Sequence, residues 1–491
     1  MNRIIVFLLI VCFYSEASRG ETHIIPLSLQ ETIARARTNS VDAEVALNQL
    51  KSAYWSFRSY KAELLPELSL SATLPGYFKQ YSPYMNDTGS YTFVANNFLQ
   101  LNGELALSQN IWLTGGKLSV NTSLDFYRQL GTDSYNRYMS LPVALTLTQP
   151  IFGVNNIKWD RKIEPVRYEE AKARFMSASE NVALQAIQYY FSFVLAKENL
   201  SIAKQNIESA EKLYEVALEK REMGRISKND LLQMELNLLD ARTELTDCES
   251  SYKSCMFQLT TFLDFDEGTI IDTDVPSKVP LVEIYYTDAL DKAETNNSFS
   301  KNMMRIQLEA DYAVAKAKGA QREINLYAQV GYTGTDHTFA GSYDNLRSNQ
   351  VVQLGFEIPL VDWGRRKGQV KVAESNRKLI ESQVRQETMK FRQNLFILVE
   401  RYGNQLQQLQ IAQRADEIAQ RRYETNEETF LIGKISTLDL NDSRLKKDEA
   451  RRNYVNELYM FWYYYYQIRS LTLWDYEHNN PIDADLENIL R

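Results

Sequence analysis

Met223-Gly224-Arg225-Ile226-Ser227-Lys228-Asn229-Asp230-Leu231 is answered, 209 residues on, by Ile432-Gly433-Lys434-Ile435-Ser436-Thr437-Leu438-Asp439-Leu440. Each stretch holds a glycine and then a Ser-x-x-Asp pattern, which reads as a sharp turn followed by a capped helix start. The same offset pairs Ala241-Arg242 with Ala450-Arg451, and Gln149-Pro150-Ile151 with Ile358-Pro359-Leu360. Nearer the start the offset grows. Ala36-Arg37-Thr38-Asn39 echoes Ala293-Glu294-Thr295-Asn296 at 257, and Leu68-Ser69-Leu70-Ser71-Ala72 matches Leu326-Tyr327-Ala328-Gln329-Val330 at 258. The chain therefore reads as two copies of one unit. The two offsets differ by 49, which places an insertion of that size in the first copy, between Pro66 and Pro150.

Each copy reads helix, strands, long helix, turn, helix. From about Arg161 to Arg221 there is no glycine, and the stretch reads as one helix of roughly 60 residues, about 90 Å long. The second copy repeats it from about Gly368 to Leu431, with Gly403 inside. No ordinary globular core accommodates such a rod. The returning helix carries Leu231, Met234, Leu238, Ala241, Leu245, Cys248, Tyr252, Cys255, Leu259 and Phe262 at alternating steps of three and four, a coiled-coil seam. Leu200, Ala203, Ile207, Ala210, Leu213 and Ala217 answer it on the outgoing helix, so the arms form an antiparallel hairpin. The matching seam of the second copy holds Ser443, Lys447 and Glu457, and is expected to face water on more sides.

The strands alternate. Leu101, Gly103, Leu105 and Leu107 share one face, as do Leu118, Val120, Thr122, Leu124 and Phe126, and again Leu141, Val143, Leu145 and Leu147. In the second copy Val352, Leu354, Phe356 and Ile358 alternate with Gln353, Gly355 and Glu357. One apolar and one polar face suit a half-buried sheet in a soluble protein, and equally a membrane barrel. Ten apolar residues, Ile4 to Phe13, follow Arg3, and Ser15-Glu16-Ala17 offers a cleavage-like spacing. Residues 1–20 are thus expected to be a signal peptide. Cys12 lacks the preceding small residues of a lipid-anchor signal. Residues 21–265 form the first repeat, 266–282 the connection, 283–476 the second repeat and 477–491 a tail.

Composition narrows the function. The 491 residues carry 63 acids against 55 bases, a net charge of −8, which excludes a generally basic nucleic-acid binder. With three cysteines and three histidines, disulfide frameworks and zinc ribbons are implausible. Cys248 and Cys255 lie in the coiled-coil seam, about 10.5 Å apart along the axis, which favours core packing over a disulfide. Thr114-Gly115-Gly116-Lys117 lacks the earlier glycine and following Ser or Thr of a phosphate loop, and reads as a hairpin turn. His23, His337 and His478 are dispersed. The run Tyr459-Met460-Phe461-Trp462-Tyr463-Tyr464-Tyr465-Tyr466 is expected to pack against the other copy. No catalytic, metal or cofactor residue is expected. The turn acids carry most information: Asp230 and Asp439 are explained by capping alone, whereas Asp442, one turn on, is not.

On these features the chain resembles the TolC family of outer membrane efflux proteins, from about Leu27 to Tyr476. The resemblance rests on the duplicated unit, the strand ends at Pro150 and Pro359, and the two Gly-x-Ile-Ser turns. It implies an α+β membrane protein: a homotrimer whose strands share one outer-membrane β-barrel, continued by a long periplasmic α-helical coiled-coil barrel. It further implies a passive exit duct of a tripartite efflux or type I secretion system. The implied partners are outer-membrane lipid, a periplasmic adaptor, and an inner-membrane pump of RND, ABC or MFS type, with no nucleic acid. The adaptor would grip Gly224, Arg225, Ile226 and Ser227, and Gly433, Lys434, Ile435 and Ser436. Asp439 and Asp442 coincide with the family's acidic entrance ring, and Asp230 with its closing network. Two residues depart from the family pattern: Phe430 has no hydroxyl to bond Asp230, and Ile435 replaces an arginine. The insertion would either add a hairpin to the barrel or form a flap. A periplasmic coiled-coil adaptor or scaffold is the alternative reading; a secreted hydrolase lacks any nucleophile–base arrangement.

Overall fold

The computed structural model describes residues 24–482 apart from 88, 132–133, 267, 277, 281, 322, 358–360 and 433. The signal segment with Cys12, His23, the Ile358-Pro359-Leu360 strand end, Gly433 and the tail after residue 482 lie outside the described residues. The chain divides into two compact units. One comprises the residues up to Leu50, Lys172–Ser298 and those from Lys390 on; the other comprises Lys51–Ala171 and Phe299–Met389.

The second unit is built on a six-stranded sheet. The first copy contributes β2 (Glu67–Met85), β3 (Tyr91–Ile111), β4 (Gly116–Gln129) and β5 (Asn136–Pro150), and the second contributes β7 (Glu323–Asp336) and β8 (Arg347–Glu357). β1 (Ile24–Pro26) and β6 (Ile270–Asp272) form a separate parallel pair in the first unit. The sheet order is β2-β3-β4-β5-β7-β8, every neighbour antiparallel, with β2 and β8 at the edges. The middle hairpin, β3–β4, has no counterpart among the described strands of the second copy and carries full ladders on both sides. The Thr114-Gly115 turn joins its strands, with Gly115 at φ 76°, in the left-handed region that glycine adopts without steric cost.

Register sorts the side chains. Leu68 opposes Leu107, Leu107 opposes Val120, Val120 opposes Leu145, Leu145 opposes Val330, and Ala328 opposes Val352. These residues line one face, on which Leu68, Leu107, Val120, Leu145, Val330 and Val352 are all exposed. The opposite face is polar. There Gln100 donates to the Tyr127 hydroxyl at 2.9 Å, Asn102 to Asp125 at 2.7 Å, and Asn121 to Glu104 at 3.0 Å. All the chain's passages between this sheet and its helices lie at one end of the sheet: α2 (Val41–Glu63) into β2, β5 into α3 (Asn156–Glu222), α6 (Ser298–Gly319) into β7, and β8 into α7 (Arg365–Leu431). Side chains knit this foot together: Asn155 donates to the Trp112 carbonyl at 3.0 Å and Gln109 to the Leu64 carbonyl at 2.8 Å.

In the first unit, α1 (Leu29–Asn39) and α5 (Tyr286–Asn296) are matching short helices, with Ala36 and Ala293 both fully buried. The 67-residue helices α3 and α7 return as α4 (Lys228–Phe262) and α8 (Thr437–Thr472). Pro165 lies within α3; it removes one hydrogen bond to the carbonyl of Arg161, and the helix continues through it. The core gathers Ile187, Tyr190, Phe193, Leu259, Leu458, Phe461, Tyr465 and Ile468. The aromatic run packs on the other copy, Phe191 lying 5.8 Å from Tyr459, and also on its own, Tyr402 lying 5.4 Å from Phe461, centroid to centroid. Cys248 and Cys255 are free thiols, half-buried in the helix interface.

Candidate functional site

The turn between α3 and α4 closes on Gly224, at φ 70°. Its N–H reaches the Arg221 carbonyl at 2.9 Å, and the Arg225 N–H the Lys220 carbonyl at 2.8 Å, so the last carbonyls of the helix are satisfied. Ser227 then caps α4: its hydroxyl accepts from the Asp230 N–H at 3.1 Å, and Asp230 accepts from the Ser227 N–H at 3.1 Å. The second turn repeats the device. Asp439 N–H donates to the Ser436 hydroxyl at 3.1 Å, and that hydroxyl donates to the Asp439 carboxylate at 2.6 Å. That hydroxyl and, second, the Ser436 N–H, which donates to the same carboxylate at 3.3 Å, hold the Asp439 carboxyl below the usual carboxylate range. Arg225 and Ser227 are exposed and Ile226 half-exposed, as are their counterparts Lys434, Ser436 and Ile435.

Asp442 is not a cap. It reaches across its own hairpin to Arg422 of α7 at 2.7 Å. Among the described residues no bond joins Asp230 to Phe430 or to Asp439. The Phe430 ring instead lies under the Lys220 ammonium, 4.9 Å from its centroid, tying the ends of α3 and α7.

Farther from the turns, a belt of polar side chains binds the second copy's hairpin to the first. Arg451 of α8 donates to Glu198 at 3.0 Å and to Asp416 at 3.3 Å. Arg452 donates to Asn199 at 3.1 Å and to Glu244 at 3.2 Å. Asn206 donates to the buried Asp448 at 2.9 Å, while Lys447 pairs with Asp448 at 3.3 Å and covers the Tyr423 ring. This overturns one expectation. Ser443 and Lys447 do not face water; both are buried, and Glu457 accepts from Gln405. Ser443 donates to the Leu440 carbonyl one turn back at 2.8 Å, Lys447 is held by its neighbour Asp448 and by the Tyr423 ring, and Glu457 by Gln405, so the polar residues are accommodated inside the seam.

The heptad reading also missed an apolar stripe. Leu232, Leu236 and Leu239 of α4 are exposed, with Met223 in the turn; in the second copy Ile432 and Leu445 answer Met223 and Leu236, and Leu438 is exposed beside them. The i, i+4, i+7 spacing of Leu232, Leu236 and Leu239 is visible in the sequence beside the buried seam. Among the described residues no helix is long and apolar enough to cross a membrane, and no group of three or more His, Cys, Asp and Glu could hold a metal ion.

Comparison with known proteins follows the same geometry. The family described as outer membrane efflux protein matches residues 115–263 and 293–460. No curated protein matches the chain in sequence. Among solved structures, the Campylobacter jejuni CmeC outer membrane channel is 17% identical with a TM-score of 0.59, over 94% of this chain and 88% of that one. The outer membrane protein VceC of Vibrio cholerae is 13% identical with a TM-score of 0.64, over 93% and 97%. The open MtrE outer membrane channel of Neisseria gonorrhoeae is 14% identical with a TM-score of 0.61, over 90% and 88%. At these identities the likeness speaks for the fold.

Proposed function

The chain belongs to the outer membrane efflux protein family, and from that premise we propose that three copies form a passive exit duct through the outer membrane, gated at the turns between the long helices. One observation carries this reading. The six-stranded sheet exposes an apolar face and keeps two unpaired edges, β2 and β8, which run in opposite directions. An open edge is untenable in lipid. The β8 edge of one copy can continue the antiparallel order onto β2 of the next, and three copies close eighteen strands. At a spacing of ~4.8 Å and a tilt of ~40°, eighteen strands give a backbone diameter of roughly 36 Å, against roughly 24 Å for twelve. The inserted β3–β4 hairpin accounts for that difference.

The apolar face would meet lipid, and the face bearing Asn102, Glu104, Asn121 and Asp125 would meet water. The exposed turns, Gly224 to Ser227 and Gly433 to Ser436, with the leucine stripe beside them, are the surface offered to a periplasmic adaptor, itself coupled to an inner-membrane pump. Asp439 and Asp442 from three copies would ring the entrance and favour cations, with Asp230 in the neighbouring cap. Opening is an outward shift of the α7–α8 hairpin from the α3–α4 hairpin. The chain then acts as a conduit, and its cargo is chosen by the pump.

Asp439→Ala combined with Asp442→Ala is expected to raise conductance and lower the cation-to-anion permeability ratio in planar bilayers. Because Asp439 is held below the ordinary carboxylate range, its share of the selectivity persists as pH falls into that range. It is lost only when pH drops through the lowered value. Unchanged selectivity in the double variant would remove the acidic ring.

A further inference from the structure

Four of the chain's six tryptophans lie in the sheet unit near the foot of the sheet: Trp55 on α2, Trp112 in the β3–β4 turn, Trp159 in the first turn of α3 and Trp363 just before α7. Trp363 is 95% exposed. It is also held at φ 55°, a left-handed conformation costly for a bulky residue, with Asp362 beside it accepting from the Gly364 and Arg366 N–H groups. Among the described residues of the single chain little covers this indole, which follows the β8 edge.

Cations accompany these rings. The Arg161 guanidinium stacks on Trp112 at 4.0 Å, and the Lys162 ammonium lies 5.1 Å from the Trp159 centroid. Stacking leaves the donor edge of Arg161 free, the geometry that suits a phosphate. Arg365 and Lys367 open α7 next to Trp363. Neither α3 nor α7 has an acid in its first turn, so these cations gather where the helix dipole is already positive. Among the described residues none of Arg161, Lys162, Arg365 and Lys367 is in an ion pair. Asp160 and Asp362 lie among these cations, which outnumber them, and the surface begins where the apolar face of the sheet ends, at Leu118 and Phe356.

We propose that the foot of the sheet is a lipid-headgroup site, in which Arg161 on Trp112, with Arg365 and Lys367 beside Trp363, takes the phosphate of an anionic glycerophospholipid. This rests on the reading that the sheet lies in a bilayer. Indoles settle at the headgroup level, and nearby basic residues favour anionic lipid over zwitterionic lipid. The collar would fix the depth of the sheet against the leaflet on its helical side.

The test uses the full chain reconstituted in vesicles of phosphatidylcholine and phosphatidylglycerol, with one or the other lipid brominated to quench tryptophan. Brominated phosphatidylglycerol is expected to quench the wild type beyond its share of the bilayer. Arg161→Gln and Arg365→Gln should each lower that preference about five-fold. Sodium phosphate should do no more than sodium chloride of equal ionic strength; a specific loss of preference in phosphate would make this a free-phosphate site and overturn the lipid assignment. Equal quenching of the wild type by both lipids would overturn the collar while leaving the bilayer reading intact. Absence of quenching by either lipid would defeat both.

Discussion

Arg451→Ala combined with Arg452→Ala is expected to raise the open probability of the channel about thirty-fold. Both arginines project from α8 of the second copy. Between them they hold Glu198 and Asn199 on α3 and Glu244 on α4, at 3.0 to 3.2 Å. If opening separates the two hairpins, these bonds exist only in the closed state, and their loss biases the equilibrium directly. The side chains are 32% and 43% exposed, so each is assigned only about 1 kcal/mol, the upper end for a solvent-screened pair. Together that is about 2 kcal/mol, or roughly a factor of thirty. Single-channel recording in planar bilayers measures it. Lys212→Ala, which breaks an exposed pair within α3, should leave the open probability unchanged. If the double arginine variant also leaves it unchanged, the belt is not a closing contact.

Glu180→Ala is expected to produce the largest loss of stability. The Glu180 side chain is 1% exposed and lies between two arginines, accepting from Arg37 through one oxygen and from Arg469 through the other. Arg469, itself buried, also reaches Asp475 at 3.0 Å and stacks on the Tyr466 ring. That cluster fastens α1 and the end of α8 to α3. Removing the shared carboxylate leaves the buried Arg469 guanidinium short of charge compensation and Arg37 without its partner, a defect worth roughly 3–5 kcal/mol. The midpoint of thermal loss of helical circular dichroism should fall markedly, and Glu180→Gln, which keeps the shape and one acceptor, should fall less. An unchanged midpoint for Glu180→Ala would mean that the cluster does not hold the unit together.

Periodicity makes much of this molecule legible in its sequence. The two offsets located the insertion because a constant spacing can break only where residues are gained. The Ser-x-x-Asp patterns foretold both capping boxes, since the cap is a local contact within one helical turn. What escaped was set by partners distant in sequence. Lys447 reads as a solvent-facing residue until the Tyr423 ring covers it, and one oxygen of Asp448 accepts from Asn206, 242 residues away. Phe430 reads as the loss of a closing bond, whereas the structure seats Lys220 on its ring. The inserted segment alternated equally well for a flap or for wall strands. Only the ladders of β3 against β2 and of β4 against β5 place it within the sheet.

The most direct measurement is an electron cryo-microscopy map of the detergent-extracted protein, sectioned through the level of the sheet. Three copies enclosing a hollow wall of eighteen strands, with β8 of each copy beside β2 of the next, is the expected result. A particle with one copy, or a wall that seals itself within a single chain, would contradict the shared conduit.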